Sequence, residues 1–489
     1  MRYHTVRRSL SVGIGLVGTS SSHADVPTLL GPRTGDSHGS KLLEGSMTES
    51  DDLRNFMSTR VLDEVEFIRA AFRDAPEPKV INVVRDDRGI GYMYAEGEIL
   101  VREEHIDRVI NLLQLPDRVD EDDRVKEVIE GVVLLSIGDI PAFEALNTID
   151  QQLGRGNATP NHVLTVAPEA GCCPATEPEE VYFEIEPFPS VCPGKGGSGV
   201  LIYVADTGLL RDATTHSWLD GVQMEDPIED LDPHDPLEGD PPRIPPYAGH
   251  GTFVAGVVRC MAPASDIIVT NAFSIAGSQL ESDLVKRLES ALSLEADIFH
   301  LSIACLTRYD LELMGFGVWL RHLHQHKGAV CVVAAGNSGF DRKTWPAAFP
   351  GVIAVGALGG DWRGRATFSN FGPWVDVYAP GRDLINAYAT GTYKCHIYPY
   401  KGLIRTFYGM AKWSGTSFST PIVSGLIAAR MSRTGESARQ AAAAVLAEAK
   451  SQSIPGVGPV LLPCCSDQDA CRKPAECCCH RHAHRPCAC

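Results

Sequence analysis

Five stretches of the chain are mostly apolar: residues 200–205, 266–272, 297–303, 329–335 and 351–358, the polar exceptions being Asp266, Thr270, Asn271, Asp297, His300 and Ser302. Each has strand length, and none alternates apolar with polar throughout. A strand of that kind is buried on both faces, which occurs in a parallel sheet covered by helices on each side. The intervening segments carry helical spacing and are long enough for crossovers. Ligands of open parallel sheets bind beyond the carboxyl ends of the strands. Residues just past these runs therefore deserve scrutiny, and Asp206 and Asn337 are two of them.

Three short runs add chemistry. Asp206-Thr207-Gly208 supplies a carboxylate. Gly249-His250-Gly251-Thr252 supplies a base, and Gly415-Thr416-Ser417-Phe418-Ser419-Thr420-Pro421 supplies a hydroxyl. Acyl transfer from an amide needs a nucleophile, a base to take its proton and an acid group to orient that base. Ser417 precedes an apolar helix, so it stands near a helix N-terminus that favours developing negative charge. Its own N–H is then a candidate donor to an oxyanion. His250 opens the apolar run Val254-Ala255-Gly256-Val257-Val258, and its flanking glycines let other backbone approach. Asp206 is placed to fix the tautomer of that ring. Asn337 offers a side-chain amide to a tetrahedral intermediate. Each run alone is also a common turn or helix cap, so only their joint occurrence makes the case.

At these residues the chain resembles the subtilisin-like serine peptidases. The blocks that carry the likeness are 204–208, 249–256, 334–337 and 415–421. Trp345-Pro346-Ala347-Ala348-Phe349-Pro350-Gly351 and Phe368-Ser369-Asn370-Phe371-Gly372 add to it. The resemblance covers roughly residues 198–450. It implies an α/β fold of subtilisin type, with a parallel sheet and helices on both faces. It implies Asp206, His250 and Ser417 as a triad, Asn337 in the oxyanion hole, and peptide or protein substrates. It also implies a substrate-binding edge at Ser302, Ile303 and Ala304, with Gly336 opposite. Members usually carry Ser-Leu-Gly on that edge, so Ala304 adds a methyl where a glycine is usual. The cofactor expectation is that none is required, with calcium as a structural ion whose ligands the sequence does not assign.

Residues 47–168 read as a separate small α+β unit. Strand-like segments at 79–84, 97–102, 128–137 and 158–166 alternate with helices at 103–113 and from Pro141 onward. The pattern suggests a β-α-β-β-α-β, ferredoxin-like sandwich. It resembles the prodomains of the same family, through its element order and its Pro160-Asn161-His162 ending. That likeness implies an intramolecular inhibitor that assists folding; a permanent accessory domain is the other reading. Residues 169–197, rich in Pro, Glu, Gly and Cys, form a linker in which cleavage is expected.

The remaining segments constrain less. Residues 1–46 are an extension with little periodicity, or a weak export signal around Arg7-Arg8. Export is one expectation; a cytoplasmic protein starting at Met47 is the other. The tail, 451–489, holds eight of the 15 cysteines and several histidines, without a paired Cys-x-x-Cys pattern. The formal charge of −18 and the absence of a Lys/Arg-rich run exclude an ordinary nucleic-acid binder. No apolar stretch reaches the length of a membrane-spanning helix. The acidic stretch 225–240 reads as a solvated loop, or as a surface preferring basic substrates. The function expected is a serine endopeptidase acting through an acyl-enzyme. Its alternatives are a processing peptidase for one precursor and a peptidase-fold binding module.

Overall fold

The computed structural model describes residues 64–86, 89–115, 124–166, 176–182, 186–232, 239–326, 328–397 and 399–463. The N-terminal extension, the Cys/His-rich part of the tail, Cys172 and Cys173 lie outside the described residues.

Six parallel strands form the central sheet. In spatial order they are Val377–Pro380, Val352–Leu358, Val330–Ala334, Ile298–Leu301, Leu201–Asp206 and Asp266–Asn271. Strand 201–206 lies between its two successors in sequence, 266–271 and 298–301. The order therefore reverses there, and a crevice opens at the carboxyl ends. Alternate residues of each strand feed two cores. Ile202, Val204, Val332 and Val355 pack with helices His250–Met261 and Thr416–Thr434. Tyr203, Ala205, Phe299, Cys331 and Val333 pack with helices Glu281–Ala291 and Met314–Gln325. Burial on both faces is what such nearly continuous apolar runs demand.

Several elements differ from the sequence expectation. The segment read as one strand at 128–137 is a hairpin, Val125–Ile129 and Val132–Ser136, turning at Glu130-Gly131. Gly131 has φ +75°, the left-handed conformation a tight reversal needs. A long antiparallel pair, Leu384–Lys394 with Ile404–Trp413, was not anticipated. Strand 404–413 alternates buried with more exposed positions, whereas the strands of the central sheet are buried almost throughout. The described part of 169–197 is seated on that pair. Glu179 and Lys412 exchange backbone bonds of 2.9 and 2.8 Å, as do Phe188 and Ile385 at 2.8 and 3.0 Å. The described start of the tail also packs on the sheet, with Leu461 N donating to Tyr378 O at 2.9 Å.

The N-terminal unit has strands Ile81–Asp86, Gly89–Arg102, Val125–Ile129, Val132–Ser136 and Ala158–Thr165. Helices Ile106–Leu112 and Ala142–Leu153 cover it around Val109, Leu146 and Ile149. The last strand continues into the larger domain. Val163, Leu164 and Thr165 pair antiparallel with Leu280, Gln279 and Ser278.

Candidate active site

Asp206 is the last residue of its strand and is fully buried. One carboxylate oxygen, Oδ1, accepts from the Thr207 N–H at 2.8 Å and lies 2.6 Å from His250 Nδ1. A carboxylate only accepts, so Nδ1 carries the proton and Nε2 presents its lone pair. Nε2 has no hydrogen-bond partner among the described residues. The ring is walled by Trp413 and Phe418, with centroids 5.7 and 5.3 Å away. Excluding water in this way strengthens the pair electrostatically.

The backbone around His250 is held by a residue that sequence reasoning missed. Gly249 adopts φ +74° so that the helix can begin at His250. Its N–H donates to Asp232 Oδ2 at 2.7 Å, and the Thr207 hydroxyl reaches the same oxygen at 3.3 Å. Thr207 Oγ1 in turn accepts from Gly251 N at 3.1 Å. Gly251 has no room for a side chain, since a Cβ there would lie 2.4 Å from Gly208 O. Asp232 and Asp230 are buried. Asp230 binds Arg287 at 2.7 Å and the Asn271 N–H at 2.9 Å. This part of the acidic stretch is internal scaffolding, contrary to the solvated-loop expectation. Acid content alone could not separate two buried aspartates from their exposed neighbours.

Ser417 is the second residue of the helix Thr416–Thr434. First-turn N–H groups have no partner within a helix, so its N–H is left to the cleft. Asn337 stands beside it, just beyond strand 330–334. Its Oδ1 accepts from the Thr416 N–H at 2.7 Å. That contact fixes the amide orientation, because only oxygen can accept there, and it reserves the NH2 group as a donor. The turn that presents Asn337 is tied by Asn370, whose Nδ2 donates to Ala335 O at 2.9 Å. Its Oδ1 accepts from Ser338 N, also at 2.9 Å. Among the candidate substrate-binding residues, Ala304 offers its backbone as an edge and Ile303 is buried. The Ser302 hydroxyl instead turns inward to Ser417 O at 3.0 Å. Gly336 uses its N–H on Thr416 Oγ1 at 3.1 Å, and a Cβ placed on it would lie 3.5 Å from the Ala304 methyl. Among the described residues no group of three or more His, Cys, Asp or Glu is arranged to hold a metal.

A buried carboxylate–imidazole pair, a hydroxyl at a helix N-terminus and a free amide donor can together carry out acyl transfer. The subtilase family model matches residues 197–458. The chain belongs to the subtilase family. It is a serine-type endopeptidase. A thermophilic serine proteinase of Bacillus sp. (strain AK1) is 29% identical over 386 residues, covering 74% of this subtilase and 84% of that relative. Thermitase of Thermoactinomyces vulgaris is 28% identical over 221 residues, covering 43% and 70%. In structure, the subtilase is similar to fervidolysin of Fervidobacterium pennivorans, with a TM-score of 0.50 at 17% identity. That likeness covers 78% of this chain and 61% of the other, and it bears on the fold alone.

Proposed function

We propose that this subtilase cleaves peptide bonds with Ser417 as nucleophile, His250 as general base and acid, and Asp206 as orienter. The observation that carries the reading is the 2.6 Å contact between buried Asp206 and His250, with Nε2 left free. Ser417 Oγ attacks the carbonyl carbon as its proton passes to Nε2. The imidazolium so formed donates from Nδ1 to Asp206. The Asn337 NH2 and the Ser417 N–H donate to the oxyanion. On collapse, Nε2–H protonates the departing amine and the acyl-enzyme remains. Water then attacks it, giving a proton to Nε2, and Ser417 regains its own as the acid leaves. Peptide turnover tests the roles. In S417A it should fall to background while the protein stays folded; undiminished turnover would refute the assignment.

The N-terminal unit, in our reading, is an intramolecular inhibitor that holds its own strand in the substrate groove. Thr165 N donates to Ala304 O at 3.4 Å and Ala304 N to Thr165 O at 3.1 Å, while Val166 N donates to Gly277 O at 2.9 Å. An extended chain is thus paired on both sides, as a substrate would be. The docking is specific: Asn161 bonds Glu98 at 2.7 Å and Ser282 at 3.0 Å, and His162 faces Glu281 at 3.5 Å, all buried. Processing is expected after Val166 and before the main sheet begins. Mass spectrometry of the N-terminus of protein from the native host tests this and also reads which start and which export route the cell uses. A chain that turns over peptides at full rate while uncleaved would overturn the inhibitor reading.

A further inference from the structure

The helix that carries Ser417 contains Pro421. In an α-helix the carbonyl of residue i accepts from the N–H of residue i+4. Residue 421 has no N–H, so the Ser417 carbonyl lacks its helical partner one bond away from the reacting residue's own Cα. Ser302 Oγ replaces that partner, donating to Ser417 O at 3.0 Å. A hydroxyl has one proton, so Ser302 can only accept in its other contact, which is His300 Nε2 at 2.9 Å. Nε2 must therefore carry hydrogen. The remaining nitrogen, Nδ1, then accepts from the Ser424 hydroxyl at 3.0 Å. Ser424 lies on the same helix about two turns beyond Ser417. All four side chains involved are buried.

We propose that His300 is a positioning residue for the nucleophile, clamping the helix at Ser424 and, through the Ser302 hydroxyl, at the Ser417 carbonyl. The inference rests on Ser417 being the nucleophile. His300 touches no substrate; it acts on the orientation of Ser302, which would otherwise be free to rotate its proton away. Burial pushes His300 down to about 3, the nearby His250 adding to the effect. The ring is thus neutral, with one hydrogen to give and one lone pair to accept. A displacement of the nucleophile of about 1 Å is enough to cost turnover about 10²-fold.

The experiment compares H300Q, H300N and H300L in the full chain, by kcat and KM on one peptide and by the inactivation rate with a fluorophosphonate. Glutamine places an amide N–H at the level of Nε2 and keeps the Ser302 contact. Asparagine ends at the level of Nδ1 and serves only Ser424. The expected result is kcat within about threefold of the parent for H300Q. For H300N and H300L it is a roughly 10- to 100-fold lower kcat with KM within about twofold. In an S302A background the difference between H300Q and H300N should vanish. Should H300L fail to fold, the glutamine–asparagine pair decides alone. Equal kcat for those two, or a difference that persists in S302A, overturns the proposal. Failure of the fluorophosphonate to modify Ser417 in the parent would instead sink the reading on which it rests.

Discussion

At the residue scale the site is built from groups whose options have been removed by their neighbours. Thr416 N–H leaves Asn337 only its NH2 to offer, and Asp206 leaves His250 only Nε2. Replacing Asn337 by leucine should lower kcat about 10²- to 10³-fold with little change in KM, a magnitude already established for the corresponding donor in subtilisin. Steady-state kinetics on one peptide check it; a loss confined to KM would mean the amide binds ground state and transition state alike. Ala304 sets its methyl opposite Gly336. A304G should therefore raise kcat/KM for a large aromatic P1 residue relative to alanine by about tenfold, the worth of one or two methylenes of space. Unchanged selectivity would remove Ala304 from the specificity wall. These residues were legible in the sequence because catalysis needs rare side chains beside glycines. Asp232 and His300 were not, since each acts through a contact that only folding creates.

At the scale of elements the close approach of two helices matters most. A Cβ on Gly425 would lie 2.5 Å from the Met261 Cβ and 3.0 Å from Val258 O. G425A should separate the His250 helix from the Ser417 helix and destabilise by about 1–3 kcal/mol. Urea unfolding of the S417A form, where autolysis is absent, measures this; a midpoint equal to the parent's would contradict the packing. The clamp between strand 298–301 and the Ser417 helix has a pH signature. His300 is held near 3 when folded and rises to its ordinary value of 6.5 when unfolded. Below pH 6.5 the unfolded chain therefore binds a proton that the native chain refuses. The contribution is intact above 6.5 and is lost as pH falls towards 3. Between pH 7.5 and 5.0 the parent should lose up to about 2 kcal/mol more than H300Q. Equal losses would show that His300 takes up its proton without cost. The strands of the central sheet were readable because burial on both faces leaves nearly continuous apolar runs. The hairpin 125–136 was misread as one strand because Glu130-Gly131 interrupts it by only two residues. The 384–413 pair escaped because Thr, Gly, Lys and Arg are scattered among its apolar residues, so neither an apolar run nor a clean alternation of residue types marks it.

At the scale of the whole molecule, the small α+β unit is tied to the larger domain by polar contacts. Arg308 anchors the contact, bonding Asp150 at 2.8 Å and Asn147 at 2.7 Å, with its own N–H reaching His162 Nε2 at 3.3 Å. Asn161 satisfies both Glu98 and Ser282, so N161A strands buried polar groups at a cost of about 1–3 kcal/mol. In the uncleaved chain that loss should open the groove and speed fluorophosphonate inactivation about tenfold, the factor that some 1.4 kcal/mol corresponds to. The sequence showed that a small α+β unit precedes the peptidase. Its likeness to a prodomain implied a C-terminal segment lying in the cleft, but the residues that pair with it, Ser278 to Leu280 and Ala304, were not legible because that pairing is made by backbone atoms alone. The catalytic roles of all these residues depend on Ser417 being the reacting group with His250 as its base. The most direct measurement treats the full chain with a fluorophosphonate and localises the adduct by tandem mass spectrometry. The account predicts one equivalent on Ser417, and labelling slowed by at least about 10³-fold in H250A. An adduct on any other side chain, or labelling of Ser417 at an unchanged rate without His250, would contradict it.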